Sequence, residues 1–362
     1  MNQNPHLRTS KTAILLLNLG TPSAPTPKAV RSYLKEFLSD PRVVEIPRVI
    51  WWCILNVIIL PIRSSVSAKK YASIWLPKLG SPLMHYSRFQ AKGLSEKLTD
   101  EGHVVLVDLA MRYGQPSIQE ALEALQSQGM ERLLLLPLYP QYSATTTASS
   151  FDEVFRVLGT WRNQPELRLV KHYHDNAAYI AALRDQVLSK WDQDGRPDFS
   201  SGDRFVMSFH GLPKRNLLKG DPYHCECLKT GRLLGEALGL IAGQYLVTFQ
   251  SRFGKAEWLK PYTAPSIEKL AEEGCQRIDI FCPGFPADCL ETLEEIAMEA
   301  RDIFLEHGGQ DYRYIPCLNG NPKWINALSD IAHEHLQGWP LGVESDAVLA
   351  LRSERAEAQA LT

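Results

Sequence analysis

The chain has 362 residues, 44% of them hydrophobic, and a formal net charge of −2. That is enough apolar mass for a sizeable core and favours two domains of ordinary size, while the near-neutral charge excludes a dedicated nucleic-acid binder, which needs a basic excess. Seven scattered cysteines, an odd number, argue against a disulfide framework and for a reducing, cytoplasmic compartment, and the polar start from Met1 to Lys11 carries no secretory signal.

In chain order, the predicted strands are Thr12–Leu19, Val104–Ala110, Arg132–Leu136, Arg168–Tyr173, Arg204–Phe209, Tyr245–Phe249, Arg277–Phe281 and Tyr312–Ile315. Most are apolar nearly throughout, as parallel strands covered on both faces are. Amphipathic segments lie between them. The clearest opens with Thr26 as N-cap and Pro27 at the first helical position, then places Val30, Tyr33, Leu34, Phe37 and Leu38 on one face. Gln115–Gln126, Ala178–Lys190, Thr230–Leu238, Ala264–Glu273 and Leu290–His307 read likewise. Such a chain admits one closed eight-stranded barrel or two doubly wound four-stranded sheets. The strands fall into two sets of four, which favours the second layout, and polar clusters sit past their C-terminal ends, where open α/β sheets bind ligands.

The run from Val49 to Leu60, with Trp51, Trp52 and Ile54 and flanked by Arg48 and Arg63, is about twelve residues long, shorter than the roughly 20 a spanning helix needs. It reads either as a buried core helix or as an exposed lip that meets a bilayer or a greasy ligand; tryptophans beside arginines suit an interface.

Two segments carry the chemistry. His210 ends a strand and precedes Gly211, so its imidazole can meet a ligand in the cleft, ligate a metal or accept a proton; alternatively it only hydrogen-bonds its own turn. On an α-helix, Asp288, Glu291 and Glu295 stand at i, i+3 and i+7 and line one face. The competing reading makes Asp288 and Glu291 a capping box and Glu295 a solvated surface group. Cys225 and Cys227 resemble half of a metal site but have no second paired-cysteine motif. The hydroxyl-rich Tyr139–Ser150 loop opens a helix and offers N–H groups to a phosphate, without the glycines and lysine of a P-loop.

Leu17-Asn18-Leu19-Gly20-Thr21-Pro22, Tyr139-Pro140-Gln141-Tyr142-Ser143, Ser208-Phe209-His210-Gly211-Leu212-Pro213, Gly220-Asp221-Pro222-Tyr223, Phe249-Gln250-Ser251-Arg252-Phe253-Gly254, Trp258-Leu259 and Cys289-Leu290-Glu291-Thr292-Leu293 together resemble ferrochelatase, the bacterial protoporphyrin-using branch most of all. The resemblance runs from about Ala13 to Leu336. It implies an α/β chelatase fold of two similar Rossmann-like domains, each a four-stranded parallel sheet flanked by helices: residues 11–175 with the hydrophobic lip, residues 176–340 with the histidine and the acidic row, and a tail from 341 to 362. It implies insertion of Fe²⁺ into protoporphyrin IX with loss of two protons, the last step of haem synthesis, with Fe²⁺ as substrate. No tightly bound cofactor and no iron–sulfur cluster are expected, since the terminal cysteine cluster of the members that carry one is missing.

By the same resemblance His210 and Glu291 are catalytic and contact the metal, Asp288 and Glu295 continue an acidic row, and Leu19, Arg112, Tyr113 and Tyr139 line the porphyrin pocket, with Ser81 near its propionate edge. Val49, Trp51, Trp52 and Ile54 fall on a lip associated with the inner membrane surface, so peripheral membrane contact is expected and nucleic acid is not. Cys289 stands where many relatives carry histidine, so an auxiliary ligand is missing. The residues agree with the chemistry: metallation needs a base for the pyrrole N–H protons, a metal donor and a mould that bends the macrocycle. His210 is the expected proton acceptor and the Glu291 row the iron route. A chelatase for another tetrapyrrole or metal, and an iron or porphyrin binder without turnover, are the alternatives.

Overall fold

A computed structural model describes residues 10–254 and 256–342, together with 348, 350, 351, 354 and 355. The tail expected from Leu341 therefore lies mostly outside the described residues.

The apolar runs form eight strands: β1 Lys11–Gly20, β2 Val105–Tyr113, β3 Met130–Pro137, β4 Glu166–Leu169, β5 Arg204–His210, β6 Tyr245–Gln250, β7 Arg277–Phe281 and β8 Asp311–Ile315. They make two four-stranded sheets, ordered β2-β1-β3-β4 and β6-β5-β7-β8, with every pair parallel. The two halves thus repeat one topology, and the barrel is excluded. In each sheet the first strand of the set is central, so its C-terminal end lies at the switch in strand order where doubly wound sheets bind ligands. Those ends are Gly20 and His210.

Alternation along the central strands sorts side chains between cores. Ile14 and Leu16 of β1 and Phe205, Met207 and Phe209 of β5 enter one core shared by both sheets, together with Trp324. Ala13, Leu15 and Leu17 enter a second core under Ile118, Leu122, Phe151 and Val154. Val206 enters a third with Ile278, Ile280, Ile296 and Phe304. Val206, Ser208 and His210 share a face by the same two-residue period. His210 therefore lies on the side of β5 covered by the segment that begins at Glu291.

The strand predicted at Arg168–Tyr173 instead pairs over Glu166–Leu169. Its ladder ends for a specific reason: Val170 N–H still reaches Leu135 O at 3.0 Å, but the next bond needs the N–H of residue 137, a proline. The helix predicted from Thr230 starts earlier and runs Tyr223–Ala237, because the Asp221 carboxylate accepts the Tyr223 N–H at 3.0 Å and organises the start. The apolar run at Val49–Leu60 is part of a longer continuous helix, Arg48–Ile74, long and apolar enough by length and composition to cross a membrane, with only 17% of its most apolar stretch buried.

The end of β1 is held against β2 very closely. Gly20, at a φ of +116°, sits where an added Cβ would lie 1.8 Å from the Tyr113 carbonyl oxygen. Gly20→Ala must therefore push the two strand ends apart; we expect a loss of about 2 kcal/mol or more from overpacking and a disfavoured backbone, read by urea unfolding. An unchanged midpoint would contradict this packing.

Candidate active site

At the end of β5, His210 Nδ1 lies 2.7 Å from the Gly211 carbonyl oxygen. A carbonyl only accepts, so Nδ1 carries the proton and Nε2 keeps its lone pair. The turn reading of His210 is thus correct for one nitrogen and leaves the other as a base or ligand. Gly211 is required by crowding: its N–H donates to Gln250 O at 2.8 Å, and a Cβ there would lie 2.5 Å from that oxygen.

Gln250 pairs in register with His210 across β5 and β6 and is 3% exposed. Its Oε1 accepts the Ser208 hydroxyl at 2.7 Å. Its Nε2 donates to the Glu291 carbonyl at 2.8 Å and lies 3.4 Å from the Glu295 carboxylate. One carboxamide therefore joins the histidine strand to the start of the acidic helix.

That helix is not α-helical where it matters. Glu291–Ala300 is wound as a π-helix before continuing as α-helix over Arg301–Glu306, and Asp288 precedes its first turn, so the row is not carried by an α-helix; Glu291 and Glu295, four apart, stay near one face because four residues is close to one turn in either winding. Residues five apart also meet, as π-winding allows: Lys70 Nζ lies 2.9 Å from the Glu294 carboxylate and 2.6 Å from that of Glu299. Side-chain donors reach into the carbonyl ladder from Gln250 to Glu291 O and from Tyr312 to Ile296 O, the kind of insertion that perturbs regular winding.

The three carboxylates then separate by environment. Asp288 is buried and fully engaged: it accepts from Thr292 Oγ1 at 3.0 Å, from Tyr314 OH, and from Asn319 Nδ2 at 2.5 Å. Its N–H goes to Asn319 Oδ1 at 2.8 Å, so the reciprocal bond of a capping box is not made. Glu295 accepts the Ser251 N–H at 2.6 Å and the Ser251 hydroxyl, holding Ser251 at a φ of +64°, a conformation that costs a non-glycine residue about 1–3 kcal/mol. Glu291 stands beside Tyr71 and Cys289: burial, and then the Glu291 carboxylate, push the Tyr71 hydroxyl and the Cys289 thiol well above their usual ranges. Burial thus favours the neutral thiol at Cys289.

The apolar wall is assembled from both halves. Tyr33, Tyr71, Ile74 and Tyr113 cluster with Leu19 and with Leu290 and Leu293, which flank Glu291. Arg112 is not an open cation: its Nη2 lies 2.7 Å from Asp40 and its Nε donates to Ser149. Tyr113 OH donates to the same Asp40 oxygen at 2.8 Å. Tyr139 is half-buried. Ser81 is buried and accepts the Thr21 hydroxyl at 2.8 Å. On the lip, Val49 is 80% and Trp52 63% exposed, whereas Trp51 is half-buried and donates to Leu38 O; Ile54 is also half-buried.

Two readings of the sequence fall away. The Tyr139–Ser150 loop cannot offer its first N–H groups to a phosphate, because Tyr142 N–H is taken by Glu226 at 2.7 Å and Ala144 N–H by Asp221 at 2.8 Å. Cys225 is exposed while Cys227 is buried, so the pair does not share a metal. Gln250 was missed as a working residue; its signal was a long polar side chain at the end of an otherwise apolar strand, directly beside the histidine.

These contacts distinguish Glu291 from Asp288 experimentally. Glu291→Gln should move the unfolding free energy by less than about 0.5 kcal/mol, as a surface-type change does, because no cap is lost. Asp288→Asn should cost about 1–3 kcal/mol, since buried partners lose their acceptor. Paired urea melts check both, and the reverse order would restore the capping reading.

Comparison with known proteins agrees with this geometry. The ferrochelatase family model matches residues 11–336. A ferrochelatase of Herminiimonas arsenicoxydans is 61% identical over 346 residues, covering 96% of this chain and 92% of that protein. One of Janthinobacterium sp. (strain Marseille) is 61% identical over 335 residues, covering 92% and 89%. Among solved structures, SirB from Bacillus subtilis with Fe³⁺ superposes with a TM-score of 0.52 at 15% identity, over 90% of this chain and 96% of that one, a likeness of fold alone. With the family model spanning both sheets and relatives of this identity matching nearly end to end, the chain belongs to the ferrochelatase family.

Proposed function

We propose that His210 and Glu291 carry the reaction of this ferrochelatase, with His210 Nε2 as proton acceptor and Glu291 on the iron route. The reaction is insertion of Fe²⁺ into protoporphyrin IX to give haem b, with release of two pyrrole protons. The observation that supports the assignment is the 2.7 Å contact of His210 Nδ1 with Gly211 O. It fixes the tautomer and orients a basic Nε2 at the switch point of the second sheet. Glu291 differs from its neighbours in kind: Asp288 and Glu295 are consumed by hydrogen bonds within the protein, whereas Glu291 stands at the start of the π-helix beside neutral Tyr71 and Cys289. A carboxylate there can meet a hard or borderline cation, and the neutral phenol and thiol do not compete with it for charge. Leu19, Leu290 and Leu293, each partly exposed, supply apolar surface of the kind a flat macrocycle needs; Tyr113, expected to line the pocket, is fully buried and packs behind them.

The Arg48–Ile74 helix fits a lip that receives porphyrin and rests on the inner membrane surface. Val49, Ile50, Trp52, Val57, Ile58 and Ile62 are exposed, more apolar area in one place than a monomer normally leaves to water. Its other side is fixed, with Leu60, Ser64, Ala68, Tyr71 and Ile74 buried and Arg63 stacked 4.3 Å over Phe253. A helix tied down in this way lies on a bilayer rather than crossing it.

His210→Ala should fold and lose about 10²–10⁴-fold in turnover, the usual weight of a general base; anaerobic assay with Fe²⁺ and protoporphyrin reads this, and near-wild-type turnover would refute the role. Replacing Trp52 and Val57 with Ser should weaken sedimentation with anionic vesicles and raise the KM for porphyrin, while stability shifts by less than about 1 kcal/mol. Unchanged vesicle binding and KM would remove the lip from both roles.

A further inference from the structure

Beyond the catalytic site, one cluster has ligand chemistry that the reaction does not use. Two residues apart in the chain that follows β4, His172 and His174 turn their rings toward each other, 4.9 Å between centroids. Both meet Glu226, on the Tyr223–Ala237 helix. His172 Nδ1 lies 2.6 Å from Glu226 Oε1, and one ligand atom from each of the three residues falls within 4.8 Å of the others.

Burial makes this more than a surface coincidence. His174 and Glu226 are each 6% exposed. His174 Nδ1 is buried without a hydrogen-bond partner; Glu226 Oε2 lies 3.5 Å away and Asp175 Oδ1 3.8 Å away, neither with hydrogen-bond geometry. A buried, unpaired polar nitrogen is costly, and a cation is the ligand that satisfies a lone pair aimed at a carboxylate. The His172 side chain, 39% exposed, gives the cluster an opening to solvent.

We propose that His172, His174 and Glu226 form a second divalent-cation site, separate from His210, that takes a borderline transition ion of the Zn²⁺, Fe²⁺ or Co²⁺ type. Two imidazoles and one carboxylate are a three-ligand set that such ions accept, with water completing the shell; Mg²⁺ and Ca²⁺, which prefer oxygen, are disfavoured. The site joins the two halves. Its histidines follow the last strand of the first sheet, and its glutamate lies on a helix of the second half. Glu226 Oε2 also holds the Tyr142 N–H, so a bound ion stiffens the anchor of the loop that carries Tyr139.

The test uses the full chain carrying His210→Ala and Glu291→Gln, stripped with a chelator and titrated anaerobically with Co²⁺, which reports nitrogen ligation through its visible d–d bands, and with Zn²⁺ by calorimetry. One equivalent is expected to bind in this background. Adding His172→Ala, an exposed position whose loss should not unfold the chain, or His174→Ala should weaken that binding at least about tenfold. Zn²⁺ should raise the melting temperature of the doubly substituted chain and not that of the chain also lacking His172. Absence of nitrogen-ligated Co²⁺ in the starting background, or binding that survives His172→Ala unchanged, as ligation by the exposed Glu101, His103 and His333 group would, overturns the proposal.

Discussion

The Gln250 carboxamide is the contact on which the site depends. It is buried, it belongs to the strand beside His210, and it spends both ends on fixed partners: Oε1 on the Ser208 hydroxyl and Nε2 on the Glu291 carbonyl. A buried amide left unpaired costs more than the pair contributes, so strand and helix start are locked in one relation. The groups proposed to be catalytic, His210 and Glu291, come from segments far apart in sequence, and neither is held by the other. Their relation is set at one remove, through a side chain that performs no chemistry. The same principle governs the carboxylates: Asp288 and Glu295 are committed to Thr292, Tyr314, Asn319 and Ser251, and this contrast is what the proposed role of Glu291 rests on.

Much of this was legible in the residues. The apolar runs marked the inner strands because parallel strands buried on both faces have little alternative, while the edge strand β4, Glu166–Leu169, is exposed or half-buried throughout and was shifted from its predicted place; the clustering of polar residues past strand ends marked the cleft. His210 was readable because a histidine followed by glycine ended such a run. What periodicity could not give was helical winding. The acidic stripe presupposed 3.6 residues per turn, whereas Glu291–Ala300 is a π-helix whose Glu291 and Ile296 carbonyls accept from Gln250 and Tyr312, side chains that arrive from other strands. Likewise β4 ended early because of Pro137 on its neighbour, a constraint invisible within the β4 segment itself. The family motifs singled out Glu291, Asp288 and Glu295 alike, and only their partners in the fold tell them apart: Asp288 is bound to Thr292, Tyr314 and Asn319, and Glu295 to Ser251.

The lip shows the opposite balance between local and tertiary information. Its composition declared it unusual, and its exposure follows from packing on one side alone: Tyr71 and Ile74 enter the same cluster as Leu290 and Leu293, while Val49, Trp52 and Val57 have nothing over them. The helix thus connects an exposed apolar surface to the wall beside Glu291 along one continuous element. Under the proposed roles, the exposed end of that element would receive the macrocycle, and its other end, where Tyr71 lies, packs beside Glu291.

The most direct test of this account is a double-mutant cycle between Gln250 and Glu291, measured as single-turnover formation of metalloporphyrin without oxygen. If Gln250 acts by placing Glu291, Gln250→Ala should slow the wild-type enzyme yet slow the Glu291→Gln enzyme little further, giving a coupling of about 0.5–3 kcal/mol. Strictly additive losses in folded proteins would mean that the carboxamide and the carboxylate act independently, and would contradict it.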